Sequence, residues 1–205
     1  MPLDVSSLLD PARSVVVTSE CQNGVIGADS VLPELAAAAA ATVIPNGARV
    51  CAAARASGVP VVHCVAGRRP DDRGSNHNAR LFGALLRSSV RMDLGTPAAD
   101  VVPEFAVAGS DFVLSRIHGL NPMAGTDLDP VLRNLGVTTI VVVGVSVNIA
   151  VTNLVMDAVN LGYQVVLVRD AVAGVPSSYA DAVLDNTLSL LATIVTTDDV
   201  VALWS

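Results

Sequence analysis

Residues 138–171 read TTIVVVGVSVNIAVTNLVMDAVNLGYQVVLVRDA. Thr138–Val143 is a run of β-branched residues, Asn148–Leu161 carries apolar residues at helical spacing and stops at Gly162, and Gln164–Val168 is a second valine-rich run. A strand, a helix and a strand in this order, with strands too continuously apolar to have a wet face, indicate a parallel βαβ unit covered on both sides. Working outward, four further runs read as strands: Ser14–Ser19, Val59–Val65, Asp111–Ser115 and Thr193–Thr196. Between them, Pro45–Ser57 is a predicted helix stopped by Gly58. Another starts at Thr126, an N-cap candidate with Asp127 and Asp129 in the first turn, and is closed by Gly136. A last helix covers Ser178–Ala192, and the alanine run Ala36–Ala41 reads as a short packed helix. The expected class is therefore α/β with a six-stranded, mainly parallel sheet, in a single domain over residues 1–205.

Composition narrows the chemistry. The chain has 205 residues, 52% hydrophobic, and a formal net charge of −7. An acidic balance disfavours nucleic acid as a partner, because phosphate binding needs a basic face. All 12 basic residues are arginine, so no lysine Schiff base, P-loop lysine or lysine general base operates here. Cys21, Cys51 and Cys64 are odd in number and lack metal-ligand spacing, which points to a reducing, cytoplasmic setting. Gly136–Met156 is uncharged over 21 residues, long enough to span a bilayer. Its polar Ser146, Asn148, Thr152 and Asn153 and its change of period read instead as a buried strand followed by a helix. Met1–Asp10 shows no signal-peptide pattern.

In an open parallel sheet the site lies beyond the carboxyl ends of the strands. The first strand runs into Glu20, Cys21, Gln22 and Asn23; the third into Arg116, Ile117 and His118; the fourth into Gly144, Val145, Ser146, Val147 and Asn148, where a helix begins. A carboxylate, a fixed cation and a set of oriented backbone donors thus converge on one side of the sheet. The Gly67–Ser75 loop, with Arg68, Arg69 and Arg73, is followed by Asn76, His77, Asn78 and a short helix through Leu86. It is either a solvated excursion or a ligand-holding loop.

The segments VVVTSECQNG, FVLSRIHGLNPMAGTDLDPVLRNLGV and the stretch quoted first resemble the isochorismatase-like hydrolases, a superfamily that also holds nicotinamidases and other cysteine amidohydrolases. The likeness extends from the first strand to the last. It implies a three-layer α/β/α sandwich, assembly as a homodimer or larger homo-oligomer, and a small-molecule substrate. Amidohydrolases of this family use an Asp, a Lys and a nucleophilic Cys, with a cis peptide in the turn before the Cys. Matched by position, Glu20 stands for the Asp, Arg116 for the Lys and Ala150 for the Cys, and the cis peptide falls at Val145–Ser146. Val145, Ser146 and Ile149 then form the oxyanion turn, and His118, Asn148 and Gln22 are candidates to contact substrate. Nicotinamidases hold a metal through an Asp and clustered histidines after the second strand. Here Asp71, Asp72 and His77 lack that spacing, so no metal and no other cofactor is expected.

Each replacement has its own weight. Glutamate keeps the carboxylate but lengthens it, arginine keeps the charge but does not release its proton, and alanine removes the nucleophile. Isochorismatases proper also lack the cysteine and hydrolyse a vinyl ether by protonation and attack of water, a role Glu20 could fill. Arg116 either balances developing charge or clamps a substrate carboxylate. Cys21, beside Glu20, is expected to face a packed layer, and His63 to be a core histidine rather than a ligand. Two readings follow: a cysteine-independent hydrolase of a small anionic metabolite cleaving a vinyl ether or C–N bond, or an inactive relative kept for ligand binding or assembly.

Overall fold

Continuous valine in a strand calls for cover on both faces, and the structure supplies it. Val16, Val141, Val143, Val166 and Val168 pack into one core, while Val15, Val17, Val62, Ile140, Val142 and Leu167 pack into another on the opposite face. The computed structural model describes residues 4–204; residues 1–3, the start of the Met1–Asp10 stretch, and residue 205 lie outside it. In chain order the elements are α1 (Val5–Leu8), β1 (Ser14–Ser19), α2 (Asn23–Ile26), α3 (Pro33–Ala41), α4 (Val43–Ala56), β2 (Val61–Ala66), α5 (Arg80–Leu86) and β3 (Phe112–Arg116). Then come α6 (Leu128–Asn134), β4 (Thr139–Val145), a π-turn at Val147–Val151 leading into α7 (Thr152–Asn160), β5 (Gln164–Ala173), α8 (Ser177–Asn186), β6 (Thr193–Val195) and α9 (Thr197–Leu203). Buried residues of α2, α3, α4 and α9 fill the first core and those of α6, α7 and α8 the second, giving three layers.

The six strands lie in the order β3-β2-β1-β4-β5-β6, and every pairing is parallel, so the sheet is wholly rather than mainly parallel. Boundaries move for identifiable reasons. Pro60 has no N–H to give a neighbour, so regular pairing in β2 starts at Val61 rather than Val59, although the Pro60 carbonyl still accepts from Val16 (3.0 Å). Helix α4 begins at Val43 and carries Pro45 in its first turn, where a missing N–H is tolerated. The helix expected to reach Ala192 ends at Asn186 and gives way to a 3-10 turn, Leu188–Leu190. Thr126 precedes α6 by two residues, yet its hydroxyl accepts the Leu128 N–H (3.1 Å). The uncharged run Gly136–Met156 divides into β4 and the helix after it. No single described helix is long and apolar enough to cross a membrane; α3 and α4 reach that length only as a pair bent by 54°.

The chain builds outward from β1 to β3, then returns to lay β4 on the other side of β1. The strand order therefore reverses between β1 and β4, and the crevice at their carboxyl ends is where such sheets hold ligands. There Ser19 pairs with Gly144. Gly144 has φ +113°, and a Cβ on it would lie 2.2 Å from the Ser19 carbonyl oxygen.

His63 is fully buried, as a core histidine rather than a ligand. Its Nδ1 lies 2.9 Å from the Thr18 hydroxyl and its Nε2 3.4 Å from Asp111, which Arg55 grips in turn at 2.7 Å. Burial pushes the His63 pKa below 6.5, against the pull of Asp111. Burial pushes Asp111 up, but hydrogen bonds from Arg55 and the Ala108 N–H outweigh it and leave its pKa below 3.8.

Two outcomes are expected. Gly144→Ala combines a disfavoured φ with a backbone clash, and should cost at least about 2 kcal/mol in chemical denaturation. Because His63 binds its proton less readily folded than unfolded, stability should fall as pH drops below about 6.5. Asp111 adds to the loss below about pH 4. Melting temperatures followed from pH 7.5 downward check the sign, and His63→Gln should flatten the upper part of the curve.

Candidate active site

Glu20 is the first residue after β1 and adopts a left-handed φ of +54°, a conformation uncommon outside glycine and asparagine and found disproportionately at functional sites. Its N–H donates to the Cys64 carbonyl (2.9 Å), which ties the turn to the end of β2. Arg116 is the last residue of β3, paired in register with Ala66 of β2. Strands are spaced about 4.8 Å apart, so a side chain on β3 must cross the end of β2 to reach one on β1. The long guanidinium arm makes that crossing, and Arg116 Nη2 donates to a Glu20 carboxylate oxygen. The Arg116 side chain is 4% exposed and that of Glu20 19%. Among the described residues, Arg116 Nε and Nη1 are buried with no hydrogen-bond partner.

Beside this pair opens a cavity of about 490 Å³, lined by Glu20, Arg116, His118, Ser146, Asn148, Ile149 and Ala150 among others. Seven of the nine residues that the sequence nominates thus share one space. The Val145–Ser146 peptide is cis, and the Ser19 hydroxyl donates to the Val145 carbonyl (3.1 Å). Ser146 caps the π-turn without a side-chain bond, and its carbonyl accepts the Ile149 and Val151 N–H groups (3.1 and 3.0 Å); the nominated Ile149 amide is thus taken, and the other leading amides of this helix are of the kind that binds anions or oxyanions. Asn148 Nδ2 donates to the Val175 carbonyl (2.6 Å), which leaves Asn148 Oδ1 buried and unpartnered among the described residues.

Two nominated residues lie outside the cavity lining. Val145 is fully buried in the core and contributes only its backbone to the turn. Gln22 is also fully buried; its amide nitrogen donates to the Ala66 carbonyl and its oxygen accepts the Ala66 N–H (3.3 Å). It braces the end of β2 from behind rather than facing a ligand. In the arginine loop only Arg68 turns inward: it lines the cavity and meets Asp72 and Asp93 at 3.3 and 3.5 Å. Arg69 pairs with Asp71 at the surface, and Arg73 is exposed.

The thiols are placed away from this chemistry. Burial holds the Cys21 thiol well above its ordinary range and pushes Cys51 and Cys64 up to about 12. None is a thiolate at neutral pH. Among the described residues no three His, Cys, Asp or Glu side chains gather as a metal site would require. A smaller hollow of about 360 Å³, lined by Ser115, Thr126 and Asp127, adjoins the far side of Arg116 and His118.

A parallel sheet with its cavity at the β1/β4 reversal and an acid and a guanidinium at the strand ends is the layout of an α/β hydrolytic or ligand-binding domain. The chain belongs to the isochorismatase family, whose domain matches residues 14–199. It is 34% identical over 93 residues to the isochorismatase family protein YwoC of Bacillus subtilis, a match spanning 45% of this chain and 47% of that one, so the chain aligns with about half of that relative's length. Ureidoacrylate amidohydrolase RutB of Pseudomonas syringae pv. syringae is 26% identical, covering 93% of this chain and 83% of its own. Among solved structures, a cysteine hydrolase from Pseudomonas syringae pv. phaseolicola superposes with a TM-score of 0.81 at 22% identity, covering 100% of this chain and 95% of that one. N-carbamoylsarcosine amidase from Thermoplasma acidophilum superposes with a TM-score of 0.72 at 26% identity, covering 91% and 97%.

The buried pair has a testable energetic consequence. Arg116→Met strips the Glu20 carboxylate of its counter-ion and should destabilise the fold by about 3 kcal/mol in urea titrations. Adding Glu20→Gln should recover part of that loss, because the uncompensated charge is then gone.

Proposed function

We propose that the protein is a hydrolase of a small anionic metabolite, cleaving a vinyl ether or C–N bond without a cysteine nucleophile. The observation that carries this is the Glu20–Arg116 pair at the edge of an open cavity. Ala150 has no nucleophilic atom, so water attacks. Glu20 transfers a proton to or from the reacting group, and Arg116 stays charged throughout and balances charge that develops beside it. The leading amides of the Val147 helix other than that of Ile149 offer donors for an oxyanion on the opposite side. His118 and Asn148, both on the lining, orient the substrate. Buried, unpaired thiols fit a reducing, cytoplasmic setting, and a homo-oligomer fits the family resemblance.

A second reading, an inactive relative kept for ligand binding, draws on the same pair, since Arg116 already occupies one Glu20 oxygen. Activity assays separate the two. Purified protein assayed against vinyl ethers, amides and imides should hydrolyse at least one class, and Glu20→Gln should reduce kcat/KM by about 10²-fold or more. Activity that survives Glu20→Gln removes this residue from the mechanism. No turnover of any class, together with measurable ligand binding, establishes the second reading.

A further inference from the structure

Glu20 and Arg116 occupy only one corner of the cavity, and much of the remaining wall is aliphatic. Helix α5 carries four large apolar side chains, Leu81, Phe82, Leu85 and Leu86, and all of them line the cavity. Their spacing, at i, i+1, i+4 and i+5, gathers them on one face. Yet no residue of α5 is buried, whereas α4 and α7, also rich in apolar residues, bury theirs in the two cores. All four are half-buried, so part of an apolar helix face is left to the cavity. Leu32 and Leu35, at the start of α3, extend the apolar lining.

At the strand ends the opposite imbalance holds. Arg116 keeps two guanidinium nitrogens buried and unpartnered among the described residues, an arrangement that costs free energy until an acceptor arrives. The unmet demands are thus an acceptor at one end and apolar surface along the α5 wall.

We propose that the site takes an amphiphilic organic acid, whose carboxylate pairs with the Arg116 guanidinium at the cavity edge and whose single extended alkyl or arylalkyl arm lies along α5 and the start of α3. This rests on the hydrolase reading only for the location of the polar end. Such an arm covers the α5 face, which a compact polar amide would leave in water. Ligand sites of this size are ordinarily apolar with a few placed polar groups, and the distribution of the two kinds of surface sets which end of the molecule goes where.

Calorimetric titration with unbranched saturated carboxylates from butanoate to decanoate, kept below their micelle concentrations, tests this. Each added methylene should tighten binding about 3- to 4-fold until the arm fills the cavity. Leu85→Asp should bring the gain per methylene close to one-fold while leaving the melting temperature unchanged, since Leu85 is not a core residue; Phe82→Ser should act in the same way. Affinity independent of chain length in the wild type overturns the proposal. So does a Leu85→Asp protein whose oligomeric state changes while its chain-length dependence persists, which would mean that another copy of the chain covers α5. Chain-length-dependent binding with no turnover of any ester, vinyl ether or amide removes the hydrolase reading and leaves this inference standing. Turnover of short polar substrates with flat carboxylate binding does the reverse.

Discussion

Where β1 and β4 end side by side, Gly144 approaches the Ser19 backbone so closely that no side chain fits between them. Much of the site's geometry follows from that approach. It brings the first residue after β1 next to the turn after β4, so that Glu20 and the Ser146–Ala150 segment open onto one space. The Ser19 hydroxyl, held on the Val145 carbonyl at 3.1 Å, fastens the two ends together. Parallel pairing supplies the direction, because all six strands deliver their carboxyl ends to the same side. A β-branched or bulkier residue at position 144 would force the strands apart and separate the acid from the helix start.

The cation comes from farther away. Arg116 sits two strands from Glu20 and meets it only because a guanidinium arm is long enough to pass the end of β2. Gln22 matters for the same reason: by pairing with both backbone groups of Ala66 it fixes the strand end over which the arm must pass. Arginine at this position is also a chemical choice. It keeps its proton at any physiological pH, so it cannot take part in the proton transfers open to a lysine, and the proposed mechanism gives that work to the carboxylate.

The strands were readable because valine runs buried on both faces leave little ambiguity, and the helices between them were readable from period and stop signals. Seven of the nominated residues share the cavity because each lies at a strand end or within five residues of one, where sequence position constrains spatial position; Ile149 and Ala150 were nominated from the family resemblance. Gln22 departs from this. The left-handed turn at Glu20 breaks the alternation, and a polar residue two places on points inward to a backbone rather than outward to a ligand. Arg68 and the α5 wall were less readable. Nothing in GRRPDDRGS distinguishes the one inward arginine from its neighbours, since the choice depends on where Asp72 and Asp93 lie in space. The RLFGALL helix reads simply as a short helix, and only the structure shows that its apolar residues are half-buried on the cavity rather than within either core.

These separate features bear on one another through solvation. Three thiols lie in the packed layers, where burial keeps them protonated, and position 150 is a buried alanine, so the sulfur that lines the cavity is the unreactive thioether of Met92. At the strand ends the charged groups are Glu20 and Arg116; elsewhere on the lining Arg68 is held by its two aspartates and Glu34 is exposed at the start of α3. A lone ion pair beside an apolar wall is strengthened whenever water leaves, because the local dielectric falls and the pair loses its competing solvent. An apolar arm lying along α5 would therefore do two things at once: cover the half-buried helix face, and dry the space in which, on the proposed mechanism, Glu20 exchanges a proton. Binding and proton transfer would then be coupled through the removal of the same water.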